Sequence, residues 1–158
     1  MVKKISLLAL GAVLFLLGFI REYSFESINK RLGALSNDQW QYELSSFLSI
    51  LNSLEYPALY KIKFVLILVF ALLFLAVTLV MIMVLFNKTI YLKYTILFFV
   101  TIFILSFVLY GLGYVLGNIH KGYTMSRYLI EFIESPLATF FIIPALFLIE
   151  KQNRSPKV

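Results

Sequence analysis

Long uncharged apolar runs alternate with short polar segments along the chain. Residues 5–20 carry no charge and follow the basic pair Lys3-Lys4. A basic start before an apolar run is also the pattern of a signal peptide. The run closes on Leu17-Gly18-Phe19-Ile20-Arg21, a poor cleavage site, so an uncleaved first span over about 4–22 is expected. A helix needs ~20 apolar residues to cross hydrocarbon. Arg21 and Glu22 extend this run, since long charged side chains can reach back to the interface.

Residues 23–56 form the longest polar stretch. Within it Leu44, Phe47, Leu48 and Leu51 recur at helical spacing, with Ser45, Ser46, Ser49 and Asn52 between them. Ser36 and Gln39 fit a capping box, and Gly33 suits the end of the preceding segment. An amphipathic helix over about 37–54 is therefore expected. Its polar face is rich in Ser and Asn rather than Lys. That favours packing over the end of a bundle, or against a partner, above binding to anionic lipid.

Pro57 suits the first turn of a new helix, where its missing N–H costs nothing. Tyr56 and Tyr60 are placed as interfacial anchors for a second span over about 58–86. Residues 87–94, with Lys88 and Lys93, are a link short enough to force a hairpin. A third span is expected over about 95–117 and a fourth over about 126–150. Pro136 interrupts the last one, because proline cannot donate the backbone bond of a helix interior. An interfacial helix ending at Glu134, with a separate helix from Ser135-Pro136, is one arrangement. Residues 136–149 are too few to cross alone, so one helix kinked near Pro136 is the preferred one. Residues 151–158 form a polar tail. The pattern predicts a single all-α membrane domain. It consists of four transmembrane helices in an antiparallel bundle plus an extracytoplasmic amphipathic helix.

Composition narrows the class further. Of 158 residues, 61% are hydrophobic and 14% charged, and the mean hydropathy is +0.93. Soluble chains are ~45–50% apolar and ~25% charged. A domain of this size has too little interior to bury so much apolar surface. An ordinary soluble enzyme, a disordered chain and a nucleic-acid-binding domain are excluded as leading readings; the first partner is the lipid bilayer. The net charge of +6 sits mainly at the ends of the apolar runs, where cations orient a chain in a membrane. Cations are equally numerous on the two sides. Those near Lys3, Lys88, Lys93 and Lys151 are concentrated in short segments, which favours both termini in the cytoplasm.

Little of the usual catalytic chemistry is encoded. The chain has no cysteine, one histidine (His120) and one aspartate (Asp38). It contains no zinc, phosphate-loop or nucleophile-elbow motif, and no metal or cofactor is expected. A Ser–His pair would have to join His120 to Ser106 or Ser126. The first three spans hold no charge inside them, away from their ends, and the fourth carries Glu131 and Glu134 near one end, with Arg127 one turn before Glu131. Gly113 and Gly117 form a GxxxG, and Ser106, Tyr110, Gly113 and Gly117 share a stripe suited to close helix packing. Contact with the fourth helix near Ala138 and Thr139 is expected.

Gly122-Tyr123-Thr124-Met125-Ser126-Arg127, Glu134-Ser135-Pro136-Leu137 and Ile143-Pro144-Ala145 resemble the C-terminal signature of small exosortase-associated membrane proteins of Bacteroidota. The Arg21-Glu22 pair, with Phe25 and Asn29 after it, is also similar. The resemblance covers both ends of the chain; the middle matches only in hydropathy. It implies a bacterial cytoplasmic-membrane protein accessory to a protein-sorting transpeptidase. This chain lacks the cysteine such an enzyme needs, so it is not the enzyme. Arg21, Glu22, Tyr123, Arg127, Ser135 and Pro136 are the matched positions. On the expected topology Arg21 pairs with Glu131 or Glu134, and Arg127 with Glu22.

The leading expectation is a non-enzymatic accessory subunit that binds a larger membrane protein, in protein sorting or export. A small oligomeric carrier or channel is the alternative. A surface active site using His120, Glu131 or Glu134 is a third reading. A homo-oligomer is compatible with the pattern.

Overall fold

A computed structural model describes residues 2–37, 42–44 and 46–154. Five α-helices account for most of them: α1 (Val2–Ser36), α2 (Tyr56–Phe86), α3 (Thr89–Val115), α4 (Ile119–Ile133) and α5 (Pro136–Arg154). A 3-10 helix, Ser46–Ser53, lies between α1 and α2. There is no strand among the described residues. By length and apolarity α1, α2 and α3 are each able to cross a membrane, and the bent pair α4–α5 makes a fourth if counted as one span. The chain is a multi-pass membrane protein on this ground.

The helix ends obey local chemistry. Pro57 sits in the first turn of α2, after Glu55 in extended backbone. Asn87 closes α2 in the left-handed region at φ 52°, donating its N–H to the Met83 carbonyl. Asparagine tolerates that conformation better than most residues. Only Asn87 and Lys88 separate α2 from α3, so α3 must turn straight back. Accordingly Phe86 meets Tyr91 beside the turn, and Ala71 packs near Phe99 farther along. Residues 89–94, expected from sequence to be link, are the first turns of α3.

Further departures concern α1 and its connection to α2. The helix does not stop near Glu22 or at Gly33 but runs to Ser36. Past Glu22 it still presents Phe25, Ile28 and Leu32 at helical spacing, and all three are buried, with Ile28 and Leu32 packed on Leu59 of α2. Tertiary burial thus holds a segment whose charges suggested an end. The expected helix over about 37–54 does not appear among the residues described there: 42–44 are irregular and 46–53 form the 3-10 helix, while 38–41 and 45 lie outside the described residues. Competing bonds explain the change. Arg31 donates to the carbonyls of Tyr42 (2.7 Å) and Asn52 (3.2 Å). The Asn52 carboxamide closes on Leu44, accepting from its N–H at 2.7 Å and donating to its carbonyl at 2.9 Å. These side chains take backbone groups that a helix would have used. Leu44 and Leu48 are buried nonetheless, as their spacing implied. Of the capping box, the Ser36 hydroxyl donates to the Gly33 carbonyl instead, and Gln39 lies outside the described residues. Tail residues 155–158 also lie outside them.

The segment expected as a fourth span is two helices joined at a break rather than one kinked helix. α4 ends at Ile133, α5 starts at Pro136, and the two helices are bent by 67°. Pro136 lacks the N–H to continue the ladder and disfavours helical backbone at Ser135. The Ser135 hydroxyl donates to the Phe132 carbonyl (2.7 Å), and the Glu134 N–H to that of Ile130 (3.0 Å), closing the end of α4. α5 then runs beside α2 in the same sense. Thr78 meets Thr139, Ile82 packs near Ile142 and Phe86 stacks on Phe147.

The small-residue stripe of α3 works on α4, not near Ala138 and Thr139. A Cβ on Gly113 would lie 2.5 Å from the Gly122 Cα, and one on Gly122 would lie 2.6 Å from the Gly113 Cα. Farther back along the stripe Ser106 is buried, bonded to the Ser126 hydroxyl at 2.8 Å. Tyr110 is exposed. A Cβ added at Gly117 would meet nothing within 4 Å; with φ 70° this residue shapes the turn between α3 and α4. Gly122→Ala is expected to destabilise the fold by ~1–3 kcal/mol, the usual cost of overpacking, measured by thermal melting in detergent. Gly111→Ala, with nothing within 4 Å of the added Cβ, should not lower the melting temperature.

Candidate functional site

One cleft concentrates the ionisable residues. It lies between α1, α2 and α4 and encloses about 520 Å³. Helical spacing assembles it. Tyr123, Arg127, Ile130 and Glu134 line one face of α4, while Tyr60, Lys63 and Ile67 line one face of α2. Glu22, Glu26, Asn29 and Lys30 complete it from α1, beside Arg21 and Phe25.

The floor is an ion pair between helices distant in sequence. Arg21 donates to Glu134 Oε2 from Nη2 at 3.0 Å and from Nε at 3.2 Å. Its Nη1 donates to Glu22 at 3.0 Å, and its guanidinium lies 4.9 Å from the Phe25 ring centroid. The Glu134 side chain is fully buried, and that of Arg21 is 13% exposed. Both Arg21 bonds fall on one oxygen. Glu134 Oε1 is buried without a donor among the described residues.

The other charges pair locally. Arg127 donates from Nε to Glu131 at 2.6 Å, and Lys30 bonds Glu26 at 2.7 Å. Both are i,i+4 pairs along one helix. Lys63 is half-buried; it makes no salt bridge among the described residues but interacts electrostatically with Arg127 and Glu131. Of the two expected inter-helix pairs, Arg21 reaches Glu134. The Arg127–Glu22 pair does not form, because Glu131 one turn away on the same helix is a nearer acceptor. Ser135 and Pro136 lie at the break and not in the cleft wall. Pro136 packs close to Gly18 of α1, and Tyr123 is at the rim. His120 is exposed, and the hydroxyls of Ser106 and Ser126 bond to each other.

Below the cleft the interior is nearly apolar. The polar contacts there include Thr78 to Thr139 at 2.6 Å, with Thr78 also donating to the Phe74 carbonyl, and Thr95 donating to the Tyr91 carbonyl at 2.8 Å. At the opposite end Lys88 bonds Glu150 at 3.1 Å. α5 rises ~21 Å from Pro136 to Glu150, and the two ion-pair levels bracket a largely apolar segment of the bundle.

Sequence reading did not single out Lys63, Glu26, Lys30, Arg31 or the Thr78–Thr139 contact. For Lys63 a signal existed: it shares a helical face with Tyr60 and Ile67. The threonines gave none, since a lone threonine in an apolar helix does not name its partner.

The chain matches no known protein family, no curated protein and no solved structure.

Removing one member of a buried ion pair strands the other charge, a change that typically costs ~3–5 kcal/mol, whereas replacing both by apolar residues is often neutral. Arg21→Met is therefore expected to lower the melting temperature sharply. Arg21→Met combined with Glu134→Leu should recover most of the loss. A double variant no better than the single one would show that the pair does not couple α1 to the α4–α5 break.

Proposed function

We propose that the chain crosses a bacterial cytoplasmic membrane four times, as an antiparallel bundle whose fourth span is the bent α4–α5 pair. Both termini lie in the cytoplasm and the cleft opens on the outer side. Within that membrane it serves as a non-enzymatic accessory subunit of a larger membrane protein, in sorting or export. One observation carries this reading. Most of the charges gather in the cleft toward one end of the bundle and largely neutralise one another there, while the segment between Glu134 and Glu150 is apolar. Such an arrangement suits a binding surface at the interface better than transport along the bundle, because a moving ion needs polar partners at depth. The sequence resemblance supplies the sorting context.

Two measurements test the proposal. Affinity purification of the tagged chain in mild detergent, with mass spectrometry, is expected to recover a larger membrane protein in stoichiometric amount. Recovery of the chain alone as a defined oligomer that conducts solute after reconstitution would replace the accessory role with that of a carrier. Orientation is readable because the chain has no cysteine. Lys30→Cys should react with a membrane-impermeant maleimide in intact cells, and Gln152→Cys only after lysis. The reverse pattern would invert the topology.

A further inference from the structure

The cleft between α1, α2 and α4 is rich in charge and yet neutral. On the α2–α4 wall Lys63 and Arg127 balance Glu131 and Glu134, and on the α1 wall Arg21 and Lys30 balance Glu22 and Glu26. An entering anion therefore meets as many carboxylates as cations, and an entering cation fares no better. The lining suits an uncharged guest that offers hydrogen-bond donors and acceptors together. Reachable polar edges remain for it. Arg127 bonds Glu131 from Nε alone, so its two Nη groups and the Oε2 atom of Glu131 make no hydrogen bond among the described residues. These two side chains are 52% and 32% exposed. Asn29, half-buried on the α1 wall, makes none there with its carboxamide either. A guanidinium donates, a carboxylate oxygen accepts and a carboxamide does both, which together match a set of alcohol hydroxyls. Beside these edges stands an aromatic surface. Tyr60 and Phe64 line the cleft from α2, yet remain 41% and 51% exposed. Their rings meet edge to face at 5.1 Å, and Tyr56 lies nearly parallel to Tyr60 one turn earlier. The face of such a ring is negative and attracts polarised C–H groups. Apolar wall with a few placed polar groups, in ~300–1,000 Å³, is the usual make-up of a small-ligand site.

We infer that this cleft binds an uncharged pyranose, the headgroup of a membrane glycolipid, with its C–H face on Tyr60 and Phe64 and its hydroxyls on Asn29, Arg127 and Glu131. A pyranose has the two surfaces that the cleft asks for: a ring face of C–H bonds and an edge of hydroxyls, each of which donates once and accepts twice. It brings no charge to upset the balance of either wall. The lipid source follows from the rim. Tyr56, Tyr60 and Phe64 form an exposed row along one face of α2, of the kind found where a helix leaves hydrocarbon. The mouth of the cleft then lies at headgroup level. The inference rests on the cleft and not on the accessory role. Purification without a partner leaves it standing, and its own failure leaves that role standing.

The test uses the purified full chain in a polyoxyethylene detergent, which brings no sugar of its own. It is titrated with monoglucosyl or monogalactosyl diacylglycerol, and with phosphatidylglycerol and diacylglycerol of the same acyl chains. Bound lipid is counted by native mass spectrometry. The better of the two glycolipids is expected to be retained about tenfold more than phosphatidylglycerol or diacylglycerol. Tyr60→Leu keeps an apolar side chain at the rim but removes the aromatic face, and Asn29→Leu removes the carboxamide. Each should cut that preference by about threefold or more, with the other two lipids unaffected. Both positions lie outside the Arg21–Glu134 pair. Tyr94→Leu, an equally exposed tyrosine at the start of α3, should change nothing. Equal retention of all the lipids by the unaltered chain overturns the inference, and so does a preference for phosphatidylglycerol. A glycolipid preference that survives both Tyr60→Leu and Asn29→Leu overturns it as well. A loss as large in Tyr94→Leu would do the same, by reducing Tyr60 to an interfacial anchor. A water-soluble methyl glycoside that binds as tightly as the glycolipid would overturn the lipid source.

Discussion

The Arg21–Glu134 ion pair is the contact on which the rest of the arrangement depends. It joins the middle of α1 to the break between α4 and α5, at the point where Pro136 redirects the chain. A carboxylate at that depth needs a cation, and Arg21 is the cation that reaches it with two bonds. The pair therefore sets where along α1 the bent span docks. Gly18 then meets Pro136, and Phe15 meets Phe140, one turn after another down the same face. The same pair forms the floor of the cleft, so architecture and the candidate site share one origin.

Below that level, apolar packing and very small contacts take over. In hydrocarbon the hydrophobic effect does not drive helices together, and close packing and hydrogen bonds between helices must do so. On the rim side of the cleft, Gly113 and Gly122 bring the backbones of α3 and α4 into contact; below it, the Thr78–Thr139 bond ties α2 to α5. Threonine suits this role because its hydroxyl also satisfies a carbonyl of its own helix, as Thr78 does with Phe74. Beyond the cleft at the other extreme, Arg31 and Asn52 fasten the connection between α1 and α2 through backbone carbonyls. Each level of the molecule is held by the type of contact its surroundings allow.

The positions of the apolar runs and of Pro57 and Pro136 were readable from residues alone, because these are local constraints on single helices. The second span and the turn at Asn87 come from them almost directly. The continuation of α1 past Glu22 was not readable. It depends on α2 offering Leu59 to Ile28 and Leu32, which no spacing rule states. The residues 42–53 misled for a related reason: their apolar spacing is genuine, but Arg31 and Asn52 compete for the backbone. Of the stripe Ser106, Tyr110, Gly113 and Gly117, Ser106 and Gly113 meet Ser126 and Gly122, not Ala138 and Thr139, while Tyr110 is exposed. In the cleft, Arg21 and Glu134 were legible as opposite charges on candidate helices, while Lys63 entered only through the position of α2 against α4.

By itself, then, the amino-acid sequence determined that this chain is helical, membrane-borne and poor in ionisable groups at depth. Those properties come from hydropathy summed over each run and from the dihedral limits of proline. The tertiary structure alone decided the 67° break as a junction between two helices, the choice of Glu134 over Glu131 for Arg21, and the gathering of three helices around one charged cleft. Such choices are comparisons between contacts of similar strength made by residues far apart in the chain. Only the packed molecule ranks them, because only there do the competing partners have distances.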